Sequence, residues 1–210
     1  MWCSRSSTAR WARTEQFRVY WSSPASPTSG AGVLGSAVGM DKDVAKRLLR
    51  AAGIPVAAYQ VVRKAEFERN REAACRRASE VGFPLFSKPA NPRVFSRRRE
   101  GKPSTSTRNG AALEIPARLD AAQVETVQRM AVAAFHALEG HGMARVDFFV
   151  REDGALLVNE VNTIPGFTAI SMYPKLWEAS GATATELVTR LIDLALARHA
   201  ARAALSSSAG

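Results

Sequence analysis

The sequence predicts an α+β fold in which helices pack against an antiparallel β-hairpin. Two apolar, strand-like runs, residues 144–150 and 155–163, are joined through Asp153-Gly154. Asp-Gly between such runs favours a two-residue hairpin loop, because both residues tolerate positive φ. Helix-periodic segments lie before and after this pair, in the order α-α-β-loop-α-β-β-α. This order is typical of an α+β domain.

The elements before the hairpin follow from capping residues and helix breakers. Asp41 can cap a first helix, which Gly53 ends. Residues 65–82 predict a second helix closed by the glycine at its end, and residues 85–88 predict a short strand stopped by the following proline. The apolar residues that share one face of the first helix are Val44, Leu48 and Leu49.

The elements after these are an amphipathic helix over residues 121–138, the hairpin, and a long helix over residues 185–205. The predicted apolar stripe of the first of these helices is Val124, Val127, Ala131, Ala134, Phe135 and Leu138. Residues 1–30 and 92–110 fit no periodic template and are rich in Ser, Arg, Pro and Gly. We expect both stretches to be poorly ordered, because low apolar content cannot compensate the entropy of ordering.

The net charge of +10 is concentrated in two stretches. Residues 1–30 carry a net +3 and residues 88–108 a net +6, so that all other residues together sum to +1. A nucleic-acid interface more usually lies on a folded face or helix with amide or aromatic readers nearby. The distribution therefore favours solvated charge with only salt-sensitive, sequence-blind attraction to nucleic acid, and specific nucleic-acid binding is the alternative.

Cysteine usage and hydropathy predict a cytoplasmic protein. Only Cys3 and Cys75 are present, which argues against a disulfide framework and fits a reducing compartment. No run of 18 apolar residues predicts a membrane span. The first thirty residues lack the apolar centre of a secretory signal; their Arg- and Ser-rich, acid-poor composition leaves an organellar transit peptide as an alternative.

Polar side chains lie at one end of the predicted hairpin. With a two-residue Asp-Gly loop, Asp147 pairs with Glu160 and Arg145 with Asn162, and all four share one face. The residues predicted on the opposite, core-facing side are Val146, Phe148 and Val150. Carboxylates directly opposite each other repel unless a cation lies between them, and an all-oxygen donor set fits Mg²⁺. The alternative is a solvated face on which the arginine neutralises the aspartate.

Long stretches of the sequence resemble one enzyme family. The segments "ARVDFF" and "LLVNEVNTIPGFTAISMYPKLWEASG" closely resemble the C-terminal part of the D-alanine–D-alanine ligases, which are ATP-grasp enzymes. The segments "GVLGSAVGMDKDVAKRLLRAAGIPV" and "GFPLFSKPAN" are similar to earlier parts of that family, in the same order. The resemblance covers roughly residues 31–91 and 113–199 and implies a partial ATP-grasp fold.

The resemblance implies a metal and catalytic role for five positions. Asp147, Glu160 and Asn162 match the ligands of the two magnesium or manganese ions that bridge the phosphates of ATP. Arg145 matches the arginine that stabilises charge on the transferred phosphate and on the tetrahedral intermediate. Gly166 matches the residue whose backbone amide helps to form the oxyanion site.

The resemblance also implies substrates and their contacts. Lys42 and Lys88 match two lysines that contact the ATP phosphates, whereas Ser171 and Met172 match positions that hold the carboxylate of the second D-alanine. The implied reaction joins two D-alanines through an acyl phosphate, for the synthesis of peptidoglycan precursors. ATP and D-alanine are then the small-molecule partners, with no specific nucleic acid and no membrane, and a family-type homodimer is possible.

The chain also departs from the family pattern. Residues 1–30 match nothing in the family, 31–91 match its first ATP-grasp subdomain, 92–112 form a disrupted basic loop, and 113–205 match the C-terminal subdomain. We expect the family's N-terminal domain, with the glutamate that binds the first D-alanine, to be absent. We also expect the Gly/Ser-rich phosphate loop and the adenine-binding strands to be absent. A catalytically inactive module and a D-alanine–D-lactate ligase are therefore alternatives to an active D-alanine–D-alanine ligase.

Overall fold

Seven helices and a two-stranded antiparallel sheet make up the part of the chain that the computed structural model describes, residues 27–82, 87–88, 90, 114–168 and 170–207. In chain order they are α1 (Val33–Met40), α2 (Lys42–Ala51), α3 (Lys64–Arg69), α4 (Arg71–Ser79), α5 (Ala121–Ala137), β1 (Arg145–Val150), β2 (Leu156–Asn162), α6 (Met172–Ala179) and α7 (Ala184–Ser207). The α+β class is confirmed. The stretches expected to be poorly ordered lie almost wholly outside these residues. Of the strand predicted at 85–88, residues 85–86 lie outside the described residues, and residues 87–88 are not in a strand.

Helix α2 begins and ends as predicted. The Asp41 carboxylate accepts hydrogen bonds from the backbone N–H groups of Asp43 and Val44, at 3.0 and 3.1 Å, which satisfies two donors of the first turn. Gly53, at φ +73°, adopts the left-handed conformation that commonly follows a helix. Of the predicted apolar face, Leu49 is buried, whereas Leu48 remains 38% exposed.

The single helix predicted over residues 65–82 is wrong. The chain breaks at Asn70, whose φ of −152° and ψ of 90° are extended, and its side chain accepts a 2.9 Å hydrogen bond from the N–H of Ala73. Asparagine competes for backbone donors in this way, so it starts α4 instead of continuing α3. An ion pair between Glu66 and Arg77 then links the two short helices, with a contact of 2.7 Å.

The hairpin has the predicted partners at its far end but a different loop. Arg145 pairs with Asn162 and Asp147 with Glu160, whereas from Phe148 to the turn the register is shifted by one. Gly154 donates to the carbonyl of Arg151 and has φ +80°, which is typical of a three-residue loop. The predicted two-residue loop is therefore wrong, and a bulge at Asn159 restores the register beyond it.

The bulge also determines which residues of β2 enter the core. Val158 and Val161 are both buried, although strict alternation would place residues three apart on opposite faces. Val146 and Phe148 pack against the core as predicted, but Val150, the last residue of β1 before the turn, is 48% exposed. The buried core residues are Ala45, Leu49, Ile54, Ala134, Leu138, Val158 and Val161.

Helix α5 covers this core and confirms the predicted amphipathic helix. Asp120 and Gln123 form a capping box at its start. Ala134 and Leu138 of the predicted stripe are buried, whereas Val124, in the first turn, is 39% exposed. The long C-terminal helix is also confirmed as α7, which packs against α6 through a second cluster of Tyr173, Leu187 and Leu191. Among the described helices, none has the length and apolar character that crossing a membrane requires.

Candidate metal and phosphate site

The hairpin brings four of the predicted site residues together on one face. The Arg145 guanidinium donates to both carboxylate oxygens of Asp147, at 2.7 and 2.9 Å, in a fork that fits a carboxylate. Across the ladder, the Asn162 amide donates to the same aspartate at 3.2 Å. The two members of the ion pair are only about a quarter exposed, 27% and 29%, so this face is a partly enclosed site rather than an open solvated surface.

Two lysines from separate segments converge on Glu160. The Lys42 ammonium lies 3.1 Å from the Glu160 carboxylate, and that of Lys88 lies 3.8 Å from it. The cap at the start of α2 fixes Lys42 in the first helical turn. Its backbone N–H also donates to the carbonyl of Ala90, at 2.9 Å, which ties α2 to the segment that carries the other lysine. Lys42 and Glu160, which form an ion pair here, are 118 positions apart in the sequence.

The site is charged at neutral pH. Partial burial is the largest effect on Glu160 and raises the pKa of its carboxyl. The positive charge and hydrogen bond of Lys42, with the charges of Lys88 and Arg145, outweigh burial and leave that pKa below its ordinary value. The hydrogen bonds from Arg145 to Asp147 raise the pKa of the guanidinium, against the effect of burial. Glu160 is therefore ionised, with cations close by.

The donor set fits a hard cation that shares its ligands with phosphate. Among the described residues there is no cluster of three or more His, Cys, Asp or Glu side chains that could hold a metal ion. The site offers two carboxylates and one amide, a set that suits Mg²⁺ when water and phosphate oxygens complete its coordination. The same carboxylates now pair with Arg145, Lys42 and Lys88. A cation bound here would have to compete with those pairs, or the lysines would have to turn toward an anion.

The loop after β2 holds the remaining predicted residues. Gly166 lies so close to Ser171 that a Cβ on the glycine would be 2.7 Å from the serine hydroxyl oxygen. That oxygen accepts a 3.0 Å hydrogen bond from the N–H of Thr168 and lies 2.8 Å from its hydroxyl. Ser171 directly precedes α6, whose first residue is Met172. The loop therefore joins Gly166, Ser171 and Met172 in one compact turn that follows β2.

Two further residues, Tyr59 and Lys46, lie on or against the helix that carries Lys42 and were not predicted from the sequence. Tyr59 donates a 3.2 Å hydrogen bond to Asp43, and its ring lies beneath the ammonium of Lys46. A signal for the lysine was present, because it follows Lys42 by four residues and so shares its helix face. No pattern around Tyr59 indicated that its ring would reach α2.

The family of the chain follows from comparison with known proteins. The family model described as the D-ala D-ala ligase C-terminus matches residues 48–92 and 102–193. The chain belongs to the D-alanine–D-alanine ligase family. The D-alanine–D-alanine ligase A of Bradyrhizobium diazoefficiens is 38% identical over 238 aligned positions, which cover 84% of this chain and 64% of the relative. The ligase of Deinococcus radiodurans is 37% identical over 230 positions, covering 81% and 68%.

Solved ligase structures have the same fold. The D-alanine–D-alanine ligase of Coxiella burnetii superimposes with a TM-score of 0.64 at 27% identity, covering 95% of this chain and 67% of that one. The ligase of Bacillus anthracis complexed with ATP also gives 0.64, at 20% identity, covering 90% and 76%. The partial ATP-grasp fold is thereby confirmed.

The chain is shorter than its relatives and lacks part of their interior. It spans just under two thirds of the Bradyrhizobium ligase. The 238 positions of that alignment exceed the 210 residues of the chain, so the relative contains residues with no counterpart here. The family match is itself interrupted between residues 92 and 102, inside the basic stretch where the sequence departs from the family.

Proposed function

We propose that this chain carries the metal- and phosphate-binding half of a D-alanine–D-alanine ligase, and that it does not complete the ligase reaction by itself. The observation that carries the proposal is the meeting of Asp147 and Glu160 on one hairpin face, surrounded by Lys42, Lys88 and Arg145. Two opposed carboxylates with positive side chains around them suit a metal ion bound to phosphate. The carboxylates would then bind the metal ion, and the positive side chains would bind the phosphate oxygens.

Asp147, Glu160 and Asn162 are the residues that we propose to hold Mg²⁺ or Mn²⁺. Such ions neutralise charge on phosphate oxygens and orient them for transfer. Three oxygen donors from one hairpin leave coordination positions for water and for the phosphates of ATP.

The cationic side chains have a separate task. Lys42 and Lys88, now within 4 Å of Glu160, would turn to the phosphate oxygens when ATP binds. Arg145, which pairs with Asp147 in this structure, would keep its positive charge beside the position proposed for the transferred phosphate when a cation takes over the Asp147 carboxylate. Fixed charges of this kind stabilise a phosphoryl-transfer transition state without reorganising.

The loop after β2 is proposed to serve the second substrate. Ser171 and Met172 at the start of α6 would bind the carboxylate of the second D-alanine, and the N–H of Gly166 would donate to the oxyanion. The carboxylate of the first D-alanine takes the γ-phosphoryl group, and the amine of the second displaces phosphate to form the peptide bond. In the complete enzyme, the product would enter peptidoglycan precursor synthesis in the cytoplasm.

Binding of Mn²⁺ to the hairpin tests this proposal. We expect Mn²⁺ to broaden the NMR resonances of β1 and β2 in the wild-type chain. Substitution Glu160→Gln should weaken the effect by about tenfold, since it removes one of two charged ligands. Asp153→Asn is the matched control: it removes a carboxylate from the turn of the same hairpin, where Asp153 is 56% exposed and pairs with Arg151. Equal broadening in the wild type and in Glu160→Gln would contradict the metal assignment.

A further inference from the structure

The cationic surface of the site continues along α2 beyond Lys42. Lys46 lies one helical turn after it and Arg50 a further turn on, so that the three cations share one face of the helix. Both of the added cations lie over a single aromatic ring. The Lys46 ammonium is 4.9 Å from the centroid of Tyr59, and the Arg50 guanidinium carbon is 4.7 Å from it.

Tyr59 is fixed relative to both the helix and the hairpin. Its hydroxyl donates to Asp43 of α2 at 3.2 Å. The segment leading to it forms a parallel bridge with β2, in which Val158 donates to the carbonyl of Pro55 at 2.9 Å and accepts from the N–H of Ala57 at 3.3 Å. Val158 precedes Glu160 by only two residues. The ring that supports Lys46 is therefore attached to the strand that carries the proposed metal ligand.

The charges of this region do not balance. Arg145 is matched by Asp147, which leaves Lys42 and Lys88 paired with the single carboxylate of Glu160, and Lys46 interacts electrostatically with the same carboxylate. Burial, followed by the charges of Arg50, Lys88 and Lys42, lowers the pKa of Lys46, and only Glu160 acts in the opposite direction. The ammonium of Lys46 thus lies within the electrostatic field of the site. Like charges gathered in a partly desolvated place repel one another, and a ligand with several negative charges relieves that repulsion.

We propose that Lys46 is a third lysine of the polyphosphate site, held over the Tyr59 ring beside Lys42 and Lys88, and that it contributes directly to affinity for the phosphate chain. This inference rests on the proposed function, because it extends the same phosphate site along α2. The cation–π contact limits where the Lys46 ammonium can move, so that it stays on the face of α2 that also carries Lys42. The adjacent Arg47 differs in this respect, because it is 63% exposed and pairs with Asp43 at 3.4 Å.

Titration with inorganic tripolyphosphate in the presence of Mg²⁺ tests the inference. This probe supplies the phosphate chain without adenine, so its binding does not depend on an adenine pocket. Isothermal titration calorimetry at low ionic strength would compare the wild type with Lys46→Gln and with the matched control Arg47→Gln, which removes the same charge from the next position. We expect Lys46→Gln to weaken binding by about tenfold and the control to change it by about twofold or less. Lys46→Arg should restore most of the affinity.

The outcomes distinguish a failure of the Lys46 assignment from a failure of the proposed metal and phosphate site. If the wild-type chain does not bind magnesium tripolyphosphate, both are overturned. If the wild type binds and the two glutamine variants weaken binding equally, the phosphate site stands and the assignment of Lys46 is wrong. Circular dichroism checks that each variant folds. Should Lys46→Gln fail to fold, Lys46→Met keeps the aliphatic chain over Tyr59 while removing the charge, and the same comparison then decides.

Discussion

The purified chain is expected to release no measurable phosphate from ATP in the presence of D-alanine. Phosphoryl transfer requires ATP, cation and acceptor to be held in alignment, and small displacements reduce the rate by orders of magnitude. On the proposed assignment, the hairpin would hold a cation, and Lys42, Lys88 and Arg145 would hold the terminal phosphates. We expect no equivalent contacts for adenine, and no glycine-rich cover over the phosphates.

The size of this effect follows from the number of absent contacts. Removing one group that stabilises a transition state costs about 2–4 kcal/mol, and the adenine contacts and the phosphate cover are expected to be absent together. Their combined loss would lower turnover below detection. The alignment supports this expectation, because the Bradyrhizobium relative contributes residues without counterpart here, and the family match breaks between residues 92 and 102.

A coupled phosphate assay with Mg²⁺, ATP and saturating D-alanine measures the effect, with Asp147→Asn as the control. Background hydrolysis would be the same in the wild type and in this variant. D-alanine-dependent release in the wild type that Asp147→Asn abolished would contradict the prediction. It would mean that residues 92–112 supply the phosphate cover in a form that their sequence does not reveal.

The residues of the candidate site could be predicted from the sequence, but the loop and the bulge that bring them together could not. The opposed pairs of the hairpin were predicted from a two-residue loop, whereas the structure reaches the same pairs through a three-residue loop and a bulge at Asn159. Each deviation moves the register by one residue, and the two cancel at Glu160. Turn residues alone did not distinguish these loops, because Gly154 suits both.

Local sequence rules also missed two helices. Helix α1 contains Gly35 and Gly39, and α6 contains Pro174 in its first turn; these residues lower helix propensity or mark breaks. Tertiary packing overrides propensity at both places, with Tyr173 of α6 buried against α7. In α1, Gly35 lowers the helix propensity, but its lack of a Cβ lets the helix pack against the backbone at the end of α5.

Substitution Gly35→Ala is expected to destabilise the chain by about 3 kcal/mol, near the upper end for overpacking. Propensity predicts the opposite sign, because alanine favours a helix over glycine by about 1 kcal/mol. A Cβ on Gly35 would lie 2.3 Å from the carbonyl oxygen of Glu139 and 3.0 Å from that of Leu138. These are backbone atoms at the end of α5, so no side-chain rotation relieves the overlap, and α1 must move away from its neighbour.

Urea unfolding, followed by circular dichroism, measures this change as a lower midpoint with an unchanged slope. Gly53→Ala is the matched control. Gly53 has φ +73°, and a Cβ added there would have no atom within 4 Å, so alanine meets only the cost of a left-handed conformation, about 1 kcal/mol. A loss for Gly35→Ala no larger than that for Gly53→Ala would mean that α1 does not pack on the end of α5.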